Sequence, residues 1–292
     1  MKELRALLMP FDTEPGPPAE DIPVTRTKHP KHTCENGVEY EGEMDDKNHK
    51  DGLGIQIKVD GSHYEGYWKG NKKNGRGRLI NADGGIYTGE WLDGKRHGFG
   101  MQYHHDGTKF EGYWKEGTQH GEGRGIWGTY PNDSFYEGQY RQGKKHGKGI
   151  YVWADGSTYK GDYHENNLEG HGVYIWPDNR KYVGMWKTNN MEGRGIYGWP
   201  DGRTYDGEFL GDKKDGHGIF HWPDGRRYDG LWKEGKQHGL GSYRSDKGVV
   251  KNGQWADGHR VRWIEEVAPA ENVDTSKTPV EAPVELGEAS AA

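Results

Sequence analysis

Residues 87–109 read YTGEWLDGKRHGFGMQYHHDGTK, and this 23-residue unit decides the fold. Tyr87, Gly89 and Trp91 stand at offsets 0, +2 and +4. Gly94, Gly98 and Gly100 follow at +7, +11 and +13, and Asp106-Gly107 closes the unit. The same aromatic-x-Gly start recurs at Tyr40, Tyr64, Phe110, Tyr136, Tyr159, Tyr182, Tyr205 and Tyr228. Successive starts lie 24, 23, 23, 26, 23, 23, 23 and 23 residues apart. A degenerate tenth copy holds Val250, Gly253 and Trp255, and the larger irregular step points to an insertion near Arg124–Trp127. Self-similarity at such a period marks an array of one supersecondary unit, each copy too small to bury its apolar face alone.

Strand side chains alternate between two faces. Offsets 0, +2 and +4 therefore share one face of a first strand, while Glu65, Glu90, Glu111, Lys115 and Glu137 fall between packed positions. Offsets +11, +13, +15 and +17 share one face of a second strand, with Tyr151, Tyr174 and Tyr197 at +15 and Trp153, Trp176, Trp199 and Trp222 at +17. Such alternation belongs to an antiparallel sheet with one packed face. The first connection is polar with Gly, as in LDGKRH. The second is Asp-Gly, as at Asp60-Gly61, Asp83-Gly84 and Asp201-Gly202, whose residues tolerate positive φ in a hairpin turn. Each unit reads as a β-hairpin. Its glycines at +2, +11 and +13 leave bare backbone on which rings lie. Each Gly costs about 0.5–1 kcal/mol against Ala, and burying a ring returns about 1.5–3 kcal/mol.

The pattern Tyr-x-Gly-x-Trp-x-x-Gly-x-x-x-Gly-x-Gly, seen in YTGEWLDGKRHGFG and YEGQYRQGKKHGKG, resembles the MORN repeat (membrane occupation and recognition nexus). The resemblance spans 40–263, nine copies and a degenerate tenth. It departs at Met44 for the second aromatic and at Lys47, Asn71, Asn166, Asn189 and Asp212 for the loop Gly. It implies an all-β fold, an elongated, twisted antiparallel sheet of tandem 23-residue hairpins, curved, with rings along its groove. That groove would bind a partner strand or helix through Tyr64, Trp68, Tyr87, Trp91, Phe110, Trp114, Tyr136, Tyr140, Tyr159, Tyr182, Trp186, Tyr205, Tyr228 and Trp232. The array with its short flanks is similar to MORN scaffolds of radial spoke heads and the axoneme. This implies a non-catalytic structural subunit of a cilium or flagellum within the cytoskeleton, joined to protein partners in a multi-subunit assembly, with pairing of two arrays as a homo- or heterodimer among the arrangements.

Composition narrows the alternatives. Only 30% of residues are hydrophobic and mean hydropathy is −1.15, as in a disordered chain, yet 12% are aromatic and 49 of 292 are Gly. A Leu/Ile/Val-based α/β enzyme domain or helical bundle does not have this composition. Cys34 is the sole cysteine, which excludes an internal disulfide framework. No run is apolar enough for a spanning helix, and MKELRALLMPFD is a poor secretory leader. A net charge of −6 argues against wholesale nucleic-acid binding. That charge resides in residues 264–292, where seven acidic residues face Lys277, so this acidic segment reads as a disordered tail. Residues 1–39 are Pro-containing and read as mobile, with Leu4, Leu7, Leu8 and Phe11 as a short helical stripe suited to docking.

The first hairpin loops are often basic, at Lys72-Lys73, Lys95-Arg96, Lys144-Lys145 and Lys213-Lys214. Lined up along one edge they offer a second function, a peripheral membrane adaptor on anionic lipid such as phosphoinositide. The row is interrupted at Thr118-Gln119, Asn167-Leu168 and Asn190-Met191. Regulation of a separate enzyme is a third reading. His97, His120, His146 and His238 recur one per unit, about 10 Å apart at two strands per unit, too far to share an ion at about 2.0–2.1 Å per ligand. Neither a metal nor a cofactor is expected, and no nucleophile–base arrangement is present that would mark an enzyme.

Overall fold

The computed structural model describes residues 25–34, 36–128 and 133–264. The Leu4, Leu7, Leu8 and Phe11 stripe and the acidic segment after Ile264 lie outside the described residues. The rest is a single antiparallel sheet of 21 strands in which each strand pairs with its sequence neighbours. A representative hairpin joins strand Ile86–Leu92 to strand Lys95–Tyr103. At about 4.8 Å between strands the sheet extends roughly 100 Å along the array.

Two boundaries differ from the sequence reading. The sheet begins at Thr27, inside the segment read as mobile: strand Thr27–Thr33 pairs with Glu39–Met44. Its register shifts between His29 and His32, around Pro30, so the missing N–H falls at an irregularity of an edge strand. The ring of His32 also covers Tyr40 at 5.9 Å. Strand Thr118–Trp127 runs unbroken through Arg124–Trp127, so the extra residues lie between Trp127 and Ser134. The degenerate tenth copy forms a complete hairpin, Val250–Ala256 with His259–Trp263, and buries Trp255.

The first turns use two left-handed residues, Asp93 (φ 49°) and Gly94 (φ 83°), as a two-residue type I′ hairpin requires. Where Gly is replaced the shape persists: Asn71, Asn166, Asn189 and Asp212 have φ of 67–75°. Each side-chain oxygen then accepts the N–H of Lys50, Lys145, Leu168 or Met191 in the preceding unit, so the substitution ties neighbouring turns together. The Asp-Gly turns differ from the reading above. Only the Gly is left-handed, and the Asp carboxylate accepts the N–H two residues on, as Asp60 does from Ser62 and Asp201 from Arg203. This is the three-residue hairpin with a type I turn ahead of a left-handed Gly.

A bulge also corrects the assignment of +11. The register shifts after Gly89, which faces Gly100, so that Trp91 pairs with Arg96 and Gly98 is extruded. A Cβ on Gly98 would meet Glu90 on the far side of the sheet rather than a core ring. The floor beneath the rings is therefore the pair at +2 and +13, and +11 is the bulge position.

On that floor the core is one row of rings. Tyr182 lies edge-to-face against Trp186 of its own unit at 5.2 Å and against Phe209 of the next at 5.1 Å. Equivalent contacts continue without a break from Tyr40 to Trp255. Each offset-0 Tyr donates its hydroxyl to the carbonyl three residues on, as Tyr87 does to Glu90 at 3.0 Å. Trp91, Trp114 and Trp232 donate their indole N–H to the carbonyl of the +13 Gly of the preceding unit, and Trp68 does the same to the equivalent Gly54. Edge-to-face pairs are worth about 0.5–1.5 kcal/mol each beyond area burial.

Burial pushes Tyr228 up to about 12 and the other offset-0 tyrosines higher still. The folded values exceed that of the unfolded chain, so their contribution to stability is present below pH 10 and lost as pH rises beyond it. Raising the pH from 9 to 12 is expected to produce a steep alkaline unfolding in which tyrosinate absorbance and strand circular dichroism change together. Tyrosinate formation well before loss of strand signal would contradict this burial.

Candidate interaction surface

The rings named above as a partner-binding surface lie inside the protein. Tyr64, Tyr87, Phe110, Tyr136, Tyr159, Tyr182, Tyr205 and Tyr228 are at most 4% exposed; Trp68, Trp91, Trp114, Tyr140, Trp186 and Trp232 at most 7%. The bare Gly floor below and the next unit's ring beside each one leave no face for a partner. Their role is cohesion, and the expectation that they contact a partner directly is corrected.

The aromatic surface left open is in the second row, at +15 and +17, where the tryptophans are half-exposed while Tyr197 and Phe220 are themselves buried. Trp127 stacks on Tyr151 at 5.9 Å, and Tyr151 on Trp153 at 4.4 Å. The chain of contacts continues through Tyr174, Trp176, Tyr197, Trp199, Phe220, Trp222 and Tyr243 to Trp263. The tryptophans of this row are half-buried. Consecutive rings are tilted by 37–54° from Tyr151 to Trp222. Three units add a Trp-Pro-Asp-x-Arg sequence at 176–180, 199–203 and 222–226. In each, Arg180, Arg203 or Arg226 sits 5.4 Å over its Trp and 2.7 Å from its Asp. The guanidinium groups were not singled out from sequence, although the threefold recurrence of this pentapeptide is the signal that marks them.

The second row stops short of the first units. At the equivalent positions they carry Gln56 and Lys58 (one residue later in the longer first unit), Leu79 and Asn81, Gln102 and His104. The same face is thus polar at one end and aromatic at the other.

The basic pairs are divided by the pleat. Lys72, Lys144 and Lys213 point outward and bridge to Asp93, Glu165 and Glu234 of the next unit. Exposed pairs of this kind are worth about 0–1 kcal/mol, but they offset the charge that an anionic surface would use. Lys95 lies exposed at the same edge. Lys73, Arg96, Lys145 and Lys214 turn instead onto the ring face. Lys73 lies 4.8 Å from Tyr64 and 4.6 Å from Trp91; Lys214 lies 4.5 Å from Trp232. The eight basic residues therefore do not form one stripe.

Burial, helped by Lys58 and Arg96, pulls Lys73 down to about 8, and burial with Arg203 does the same to Lys214. From pH 8 to 10.5 the unfolded chain holds protons that these folded lysines have released, so they make stability rise with pH there. This acts opposite to the tyrosines and over a lower window.

An open sheet of hairpins stapled by a continuous ring row defines a tandem β-hairpin array. The MORN repeat matches eight segments, 64–86, 87–109, 110–130, 136–158, 159–179, 182–202, 205–226 and 228–250, together more than half of the sequence, and the chain belongs to that family. The hairpins at both ends of the array lie outside those segments yet pack the same way through Tyr40 and Trp255. MORN repeats generally mediate protein or membrane-lipid interactions, and the family is typically a non-catalytic scaffold. No curated protein matches the chain significantly.

Among solved structures, the SAS-4 TCP domain of Drosophila melanogaster, in complex with a proline-rich motif of Ana2, is 14% identical. The alignment covers 75% of this chain and 96% of that one with a TM-score of 0.25. An inactive virginiamycin B lyase from Staphylococcus aureus is 12% identical over 78% of this chain and 84% of that one, TM-score 0.15. A streptogramin B lyase is 11% identical over 78% and 83%, TM-score 0.16. Scores this low carry no implication for the shape, activity or partners of the present chain.

Proposed function

We propose that this protein is a non-catalytic scaffold subunit that holds protein partners against the ring face of its ribbon, within a ciliary or flagellar axonemal assembly of the radial-spoke-head kind. The observation that supports partner binding is the set of half-exposed tryptophans, Trp127, Trp153, Trp176, Trp199, Trp222 and Trp263, joined in one ladder by the rings between them. Aromatic rings are enriched where proteins meet, because each brings large rigid area and an indole or phenol donor. The axonemal setting rests on the resemblance of the array to radial-spoke-head scaffolds. The lipid-adaptor reading is weakened by the carboxylates that neutralise Lys72, Lys144 and Lys213.

The test is a tagged full-length chain expressed in flagellated cells, compared with a triple variant Trp176→Asn, Trp199→Asn and Trp222→Asn. Asn81 occupies the equivalent offset in another unit, so the substitution suits the strand. The wild-type chain is expected in salt-washed axonemes, and the triple variant is expected to be lost from them. A wild-type chain absent from axonemes would overturn the placement. Equal retention of both chains would overturn the use of the ladder.

A further inference from the structure

Lys50, Lys73 and Arg96 each pair with the +4 residue of their own unit in three consecutive units, and Lys145 and Lys214 do so farther along. Each cation sits over rings: Lys50 is 4.9 Å from Tyr40 and 4.8 Å from Trp68, and Arg96 is 4.4 Å from Trp114. Lys50 and Arg96 reach only the amide oxygens of Gln56 and Gln102. Among the described residues none of the five is ion-paired, in contrast to Lys72, Lys144 and Lys213 at the edge. A hollow of about 400 Å³ opens between two of them, lined by Lys73, Arg96, Leu79, Asn81, Trp91 and Gln102. A second, of about 330 Å³, shares Lys73 and is also lined by Lys58, Asp60 and Asp83, so only the first hollow is free of carboxylates among its lining residues. In the first hollow Lys73 and Arg96 are half-buried beside the amides of Asn81 and Gln102 and, among the described residues, meet no carboxylate, an arrangement suited to an anionic guest.

The spacing says which form that guest takes. One unit advances two strands, about 9.6 Å. A polyproline-II chain has three residues per turn at 3.1 Å, so the same side recurs about every 9.3 Å. A β-strand returns to the same side about every 6.7 Å, and an α-helix rises about 10.5 Å per heptad. The polyproline-II period matches best, with an error of about 0.3 Å per unit that stays below 1 Å from Lys50 to Arg96.

We propose that the polar end of the ring face binds an extended, polyproline-II-like segment of a protein partner, with a carboxylate at every third residue. The segment runs across the strands and places one carboxylate on each of Lys50, Lys73 and Arg96. This rests on the reading of the face as a protein-binding surface and names the chemistry of the partner.

The probe is a fluorescent peptide of five Glu-Pro-Pro triplets, titrated against the full chain by anisotropy. Its control has the same composition with the five glutamates in one block. The triplet peptide is expected to bind at least about tenfold more tightly than the block peptide. A Lys73→Gln, Arg96→Gln variant is expected to lose about tenfold or more, as for charge-assisted bonds. Gln119 and Gln237 hold the same offset in other units, so glutamine suits the fold there. A Lys72→Gln, Lys95→Gln edge variant is expected to bind within about twofold of wild type. Equal affinity for the two peptides, or no binding of the triplet peptide, overturns the proposal. So does phosphatidylcholine–phosphoinositide vesicle retention that depends on Lys73 and Arg96 while the triplet peptide stays unbound. Loss of the Trp variants from axonemes, with no triplet binding, would leave the scaffold reading standing and this inference refuted.

Discussion

Replacing Gly100 by alanine is expected to cost about 3 kcal/mol or more and to melt the middle of the ribbon. The new Cβ would lie 2.3 Å from the hydroxyl oxygen of Tyr87 and 2.6 Å from its Cζ. That ring has nowhere to go. It is held by Trp91 at 5.1 Å, by Trp114 at 5.4 Å, and by its own hydrogen bond to the Glu90 carbonyl. Its floor is the backbone of Gly89 and Gly100, so the collision cannot be relieved by turning a flexible side chain. Gly198 supplies the control. A Cβ there meets only the Lys181 carbonyl oxygen, at 4.0 Å, and its φ is not left-handed. Gly198→Ala is expected to be neutral or to stabilise by about 0.4–1 kcal/mol through the unfolded chain. Urea midpoints of the two variants decide the matter. A midpoint for Gly100→Ala close to wild type would show that the rings do not lie flat on the glycine floor.

Tyr182→Ala is expected to cost about 3–5 kcal/mol, the range for emptying a buried aromatic site. The ring is fully buried between Trp186 and Phe209, and its removal cuts the row at one link. Because each unit touches only its neighbours, hydrogen exchange should rise most in the hairpins around 182–198 and fall off toward both ends. Tyr182→Phe should cost only about 1 kcal/mol, for the bond to the Met185 carbonyl. Phe110 already stands at this offset without a hydroxyl. Tyr163→Phe should cost less again, since the buried Tyr163 hydroxyl has no hydrogen-bond partner among the described residues. Exchange that rises uniformly along the whole chain would mean the array unfolds as one unit rather than link by link.

Much of this architecture was legible in the residues. The 23-residue period, the parity of Tyr87, Gly89 and Trp91, and the turn residues specify a meander of hairpins before any coordinate is known. Strand Thr27–Thr33 was not legible, because it carries no repeat signature and Pro30 argues against a strand. The bulge at Gly98 was hidden too. The register slips by two, which turns Gly98 to the far face while Arg96 and Gly100 on either side both stay on the ring face, and a strict period of two cannot register it.

By itself the sequence determined that aromatics over glycines replace an aliphatic core, and that the core is one-dimensional. It also determined that the net charge of −6 lies beyond the array. Only the tertiary structure decided which rings are used up. Offsets 0 and +17 share a face and look alike in a list of aromatics. The first is sealed by the glycine pair and the next unit's ring, whereas the second has only tilted neighbours and keeps an open edge. The same holds for Lys72 and Lys73. Adjacent in sequence and identical in type, they are sent by the pleat to opposite faces, one to an aspartate at the rim and the other onto Tyr64 and Trp91.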